Sequence, residues 1–178
     1  MLIHELTKQA SLDVLANTHL GRLACCQRMQ PYIVPFYFAY QNHCLYSFSM
    51  PGQKIDWMRA NPLVCVEADH MRREQWTTVV VSGRYVELSD TAEMRSERAL
   101  AFELLQHRAV WWEPGSLKVT QGGTLPPLAP IYYRISIVQI TGRSATVELG
   151  PSDTTQSGAD AAKKGWLHKM LRRVRGLQ

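Results

Sequence analysis

Residues 76–88 read WTTVVVSGRYVEL, a run dominated by β-branched and aromatic side chains. Such residues lose rotamer freedom in a helix but pack well on a pleated surface, so the run is the strongest strand signal in the chain. Gly83 interrupts it and predicts a bulge or a bend at a barrel corner. Runs of the same character surround it. GRLACC at 21–26, PYIVPFYFAY at 31–40, CLYSFS at 44–49 and PLVCVEAD at 62–69 come before, and IYYRISIVQITGR and SATVEL come after. Gln41-Asn42-His43 reads as a hairpin turn. Six or seven strands joined mostly by short turns predict a mainly β fold, an antiparallel β-barrel with peripheral helices.

Three helical stretches punctuate the strands. Thr7 to Asn17 predicts a short helix with Ala10, Val14 and Leu15 on one side. A second opens after Pro51-Gly52 and ends at Asn61-Pro62. The third, SDTAEMRSERALAFELLQHRA, starts with Asp90 and Glu93 in the spacing of a capping box, and Met94, Leu100 or Ala101, Leu104 and Leu105 supply its apolar stripe. A loop rich in Trp, Gly and Pro is expected from Trp111 to Pro130.

The 178 residues suit one domain with a sizeable core. Residues 1–149 are read as that domain, 150–162 (GPSDTTQSGADAA) as a flexible linker, and 163–178 as a basic amphipathic helix. No apolar run approaches the roughly 18 residues of a membrane span, and MLIHELTKQ is not a signal peptide, so a cytoplasmic location is expected. The formal charge of +5 resides in the tail, where Lys163, Lys164, Lys169, Arg172, Arg173 and Arg175 outweigh Asp160. The neutral remainder argues against specific nucleic-acid binding by the barrel. Cys25, Cys26, Cys44 and Cys65 form no CxxC pair and read as reduced thiols. Glu67 and Asp69 share a strand face with His70 next to them, and this reads as a hydrated strand end rather than a metal site. No catalytic constellation, P-loop or GxGxxG is present.

The stretch YSFSMPGQKIDWMRANP at 46–62 raises the question of an anion. A helix opening leaves N–H groups exposed and carries positive potential. Ser47 and Ser49 precede it with hydroxyl donors, and Lys54 in its first turn opposes the dipole, a conflict that a bound phosphate would remove. A plain strand-to-helix turn with an exposed lysine has the same spacing, and spacing leaves both readings open.

The ordered series GRLA (21–24), PYIVPFYF (31–38), LYSFSMPGQK (45–54), MRANPLVCVEAD (58–69), WTTVVVSGR (76–84) and ITG (140–142) resembles the FMN-binding split-barrel proteins related to pyridoxamine 5'-phosphate oxidase. The likeness runs from about Leu12 to Gly142 and is closer to the flavin-nucleotide-binding and nitroimidazole-resistance-like branch. The resemblance implies a homodimer with two FMN sites at the subunit interface. It implies that Tyr32, Ile33, Val34 and Pro35 lie against the flavin, and that Ser47, Ser49, Gln53 and Lys54 hold the ribityl phosphate. It brings Trp76, Thr77 and Thr78 to the flavin ring. Trp111 and Trp112 would cover the outer flavin face or pack on the barrel.

The function so implied is an FMN-dependent oxidoreductase that reduces a small nitroaromatic or quinone-like acceptor with NAD(P)H. The alternative is a non-catalytic flavin- or haem-binding storage or sensor protein, with His70 or His107 as a haem ligand; deazaflavin is the other alternative to FMN. The tail, with Trp166, Leu167, Met170, Leu171 and Val174 on one face, fits an anionic membrane surface or a protein partner. On the membrane reading, deleting residues 151–178 abolishes co-sedimentation with anionic vesicles, and unchanged co-sedimentation removes that reading.

Overall fold

A computed structural model describes residues 2–72, 75–106 and 129–146. The expected linker at 150–162, the tail helix, Trp111, Trp112 and His107 lie outside the described residues.

Among the described residues, eight strands and three helices follow in the order β1 (Leu2–Glu5), α1 (Lys8–Asn17), β2 (Leu20–Gln27), β3 (Gln30–Tyr37), β4 (Ala39–Gln41), β5 (Cys44–Ser49), α2 (Gln53–Ala60), β6 (Leu63–Arg72), β7 (Gln75–Glu87), α3 (Arg95–Gln106) and β8 (Ile131–Thr146). The strands form one antiparallel sheet in the order β3-β2-β6-β7-β8-β5-β4, with β1 added to the far half of β8. This is the antiparallel barrel with peripheral helices that the strand pattern predicts. Sequence reading misses β1, because LIHE is too short to show alternation, and it takes 31–40 as one strand, whereas the chain breaks at Phe38 into β3 and β4, which stand at opposite ends of the strand order. The expected final pair IYYRISIVQITGR and SATVEL is one continuous strand through Thr146.

Two-residue turns close two hairpins. Asn42 and His43 have φ of 51° and 57°, and Arg28 and Met29 have φ of 50° and 66°. Positive φ at both central positions matches the right-handed twist of the flanking strands. Asn42 suits this conformation, whereas Arg28 and Met29 carry a steric cost there.

Gly83 takes part in the expected irregularity. Ser82 pairs with Gln139 and Gly83 with Ile137, which leaves Val138 as the extra residue on β8. A Cβ on Gly83 would come within 2.4 Å of Ile135 Cγ2, so the close approach requires glycine.

Alternation divides the buried side chains into two groups. The barrel interior holds Leu23, Phe36, Phe38, Leu45, Val66, Val79, Val81, Tyr133 and Ile135, and α1 and α2 add Leu12, Leu15, Ile55 and Met58. The helix α1 buries Leu15 and packs Val14 against the core as expected, and it also buries Ser11 and Leu12, because it lies close to the Gly142 backbone. The other group lies under α3, where Ala101 and Leu105 cover Phe48, Tyr46, Tyr132 and Leu88. The expected capping box does not form. Met94 N–H donates to Thr91 O (3.2 Å) in a turn, and α3 begins at Arg95, beyond Asp90 and Glu93. Glu97 fixes the helix instead: its Oε1 is 2.7 Å from Arg134 Nε and accepts from Tyr46 OH at 3.2 Å. Burial, aided by nearby Cys44 and Glu97, pushes the Tyr46 phenol up to about 12.

At Gly21 a Cβ would lie 2.4 Å from Glu67 O, a backbone atom. Relief would require separating β2 from β6, which pair through Arg22–Glu67. Gly21→Ala is therefore expected to lower stability by about 1–3 kcal/mol in urea unfolding, the usual cost of overpacking.

Candidate functional site

The helix α2 leaves β5 through an exposed Pro51-Gly52 turn. Gly52 is its N-cap and no side chain caps it; the first intrahelical bond is Asp56 N–H to Gly52 O at 3.1 Å. The first turn therefore offers N–H groups with no intrahelical acceptor. Gln53 is exposed at this end and Lys54 is half-buried. Lys54 also reaches β2 electrostatically. Burial and the neighbouring Cys26 push the Cys25 thiol up, and Lys54 opposes that rise.

The far end of α2 is clamped. Arg59 grips Glu87 through both oxygens, with Nε to Oε2 at 2.7 Å and Nη2 to Oε1 at 2.8 Å. Tyr85 OH donates to Glu87 Oε2 at 2.9 Å. Asn61, the C-cap, donates from Nδ2 to Cys26 O at 2.9 Å, and Trp57 meets Tyr32 edge-on at 5.4 Å. The opening of α2 is thus held in place by β2, β3 and β7.

The residues nominated from sequence are distributed unevenly. Ser47 is buried, and its hydroxyl donates to Tyr37 O at 2.7 Å, so its proton ties β5 to β3 and is not available to an anion. Ser49, Gln53 and Lys54 remain around the α2 opening. Tyr32 and Val34 point toward the barrel core, whereas Ile33 and Pro35 lie exposed on the outer face, as a two-residue period requires.

Trp76 and Thr78 lie on the outer face of β7, and Thr77 has the opposite parity, its Oγ1 3.2 Å from Ser144 Oγ. Thr78 Oγ1 donates to Glu67 Oε1 at 3.1 Å. Glu67 and Asp69 remain partly exposed, and both pair with Arg22, whose Nη1 donates to Asp69 Oδ1 at 2.9 Å and to Glu67 Oε2 at 3.2 Å. Sequence reading missed Arg22, because its partners are more than forty residues away in the chain.

Two cavities flank this network. One of about 450 Å³ is lined by Thr18, His19, Arg22, Pro35, Asp69 and His70 among others. The other, of about 540 Å³, is lined by Ile3, Glu5, Trp76, Thr78, Val80 and Arg143 among others. The Trp76–Thr78 group and the Ser47–Lys54 group are set against different parts of β8. Thr78 pairs with Arg143 and Ser47 with Tyr133, ten residues along β8, a strand path of about 33 Å.

The antiparallel sheet with its shared β8, the α1 and α2 plugs and the α3 cover define a split barrel. The family described as pyridoxamine 5'-phosphate oxidase matches residues 7–144, and the chain belongs to that family. An uncharacterized protein of Rhizobium meliloti is 43% identical over 146 residues, which cover 82% of this chain and 97% of that protein. The crystal structure of an FAD-binding protein from Mesorhizobium loti is also 43% identical, with a TM-score of 0.70 over 82% of this chain and 100% of that one. An FAD-binding protein from Mycobacterium smegmatis shares the fold at 23% identity and a TM-score of 0.58, over 83% of this chain and 100% of its own.

The clamp on α2 has a pH signature. Its hydrogen bonds to Arg59 hold the Glu87 carboxyl below its ordinary value of 4.5. A carboxylate whose folded value is depressed stabilises the fold above its unfolded value, and loses that contribution as pH falls through the folded one. The stability gap between wild type and Glu87→Gln, read from thermal melts, should therefore stay constant above pH 4.5 and shrink in more acid solution.

Proposed function

We propose that this chain is a flavin-binding oxidoreductase, with FMN held at the opening of α2 and a homodimer as the working unit. The observation that carries this reading is Lys54 on the uncapped first turn of a helix clamped at its other end by Arg59 and Glu87. A cation there is unfavourable toward the helix dipole and becomes favourable once a phosphate binds between them. The 43% identity to an FAD-binding protein supports a flavin as the ligand.

On this reading Lys54, Gln53, Ser49 and the first-turn N–H groups hold the phosphate. Ser47 supports them from behind by tying β5 to β3. Pro35, which has no N–H to donate, gives β3 a flat outer edge against the ring, next to Ile33. Bound flavin supplies hydride or electron transfer, and NAD(P)H and a nitroaromatic or quinone-like acceptor are the proposed partners in turnover. The protein orients the ring and excludes water from it.

The homodimer reading rests on two features. Ile33, Leu63, Met71, Trp76 and Val80 are large apolar residues exposed on the outer strand faces, more than a solvated sheet requires. Among the nominated residues, Thr78 and Ser47 also pair with β8 at Arg143 and Tyr133, a path of about 33 Å along that strand. A cofactor that touches both sets takes one from each of two copies.

Titration of the flavin-free protein with FMN, followed by visible absorbance, tests the reading. Lys54→Ala is expected to weaken FMN by about tenfold or more, the worth of one charge-assisted contact, and to leave riboflavin, which lacks the phosphate, unchanged. Equal losses for the two ligands would remove the phosphate from this helix. Bound FMN without turnover by NADH or NADPH would favour the storage or sensor alternative.

A further inference from the structure

We infer that Glu87 is a positioning residue for the phosphate end of the flavin, acting through Arg59 to fix how α2 presents Lys54 and its first-turn N–H groups. The inference rests on the flavin reading, and it goes further by naming a residue that sets phosphate affinity without touching the phosphate.

The helix α2 has eight residues, too few to be stable without tertiary support. Ile55 and Met58 are fully buried on its inner side, and apolar contacts of this kind are non-directional. They hold the helix against the barrel but fix its rotation and slide only weakly. Asn61 adds one neutral bond at the C-cap. The Arg59–Glu87 fork is different, because its two charge-assisted bonds of 2.7 and 2.8 Å lie in the plane of one guanidinium and define an orientation. Asp56 cannot replace Glu87 in this task. It stands 3.8 Å from Arg59 Nη1 but belongs to α2 itself, so it ties the helix to nothing else.

Glu87 is in turn held from several sides. Tyr85 OH donates to it, and the Tyr85 N–H donates to Pro62 O at 2.8 Å, just past the end of α2. The next residue, Leu88, donates its N–H to Tyr132 O at 2.8 Å and accepts from Arg98 Nη1 at 2.8 Å. The Arg98 guanidinium lies over the Tyr132 ring, 4.8 Å from its centroid. The fork therefore references α2 to a point on β7 that β8 and α3 both fix. The sign of the effect separates positioning from plain electrostatics. Loss of the Glu87 charge by itself favours a nearby anion, whereas loss of the tie disfavours it.

Visible-absorbance titration of the flavin-free full chain with FMN and with riboflavin tests this, in wild type, Glu87→Gln, Tyr85→Phe and Lys54→Ala. Glu87→Gln is expected to weaken FMN about three- to tenfold and to leave riboflavin unchanged. Tyr85→Phe keeps both charges and should weaken FMN in the same direction by a smaller factor; it decides the matter alone if Glu87→Gln fails to fold. Unchanged or tighter FMN binding in these variants overturns the inference. An equal loss for the two flavins overturns it too, by reducing the fork to overall stability. A selective FMN loss in Lys54→Ala without one in Glu87→Gln leaves the flavin reading standing and overturns the positioning role alone. If Lys54→Ala shows no FMN-selective loss, the phosphate is held elsewhere and both readings fall.

Discussion

Everything in this fold depends on the sharing of β8. Its sixteen residues pair with β7 along nearly the whole length, with β5 over the first part and with β1 over the last. A strand that changes one of its neighbours midway must coil, and the β7–β8 ladder accommodates this with one extra residue, Val138, opposite Ser82 and Gly83. The hydrogen bonds of this ladder fix the distance between the two ends of the barrel. They therefore also fix how far along β8 the α2 end lies from the Trp76–Thr78 stretch.

Packing on the two sides of β5 shows how one strand serves two bodies. Leu45 and Ser47 face the barrel, and Cys44, Tyr46 and Phe48 face α3. Nearly all of the strand is buried, so its polar groups need internal partners. Ser47 meets that need through Tyr37 O, and Tyr46 through Glu97. The same requirement accounts for Arg59, Glu87 and Tyr85 at the far end of α2, where a bidentate pair and a phenol satisfy one another.

The site was partly legible. Pro51-Gly52 before a lysine marked the opening of a helix, because glycine and proline punctuate structure locally. The PYIVP run was legible as a strand, but not as two faces with different tasks. Tyr32 and Val34 turn inward because Trp57 and the core lie there, and Ile33 and Pro35 turn outward. Ser47 looked like a donor until its depth was known. Arg22 gave no signal, since a lone arginine acquires meaning only from what the sheet sets opposite it. The capping-box pattern at Asp90 failed because Glu97, two residues into α3, has its ties to Arg134 and Tyr46. Tertiary contacts thus set the helix start, against a local preference worth about 1 kcal/mol.

By itself the sequence determined the antiparallel barrel, the positions of most strands, the hairpin at Asn42-His43 and the irregularity at Gly83. These follow from side-chain shape and backbone freedom, which act between near neighbours. Only the tertiary structure decided which hydroxyls were committed and which carboxylates Arg22 would hold. Those outcomes depend on sheet order and register, which bring together residues that are tens of positions apart, and no local pattern carries that information.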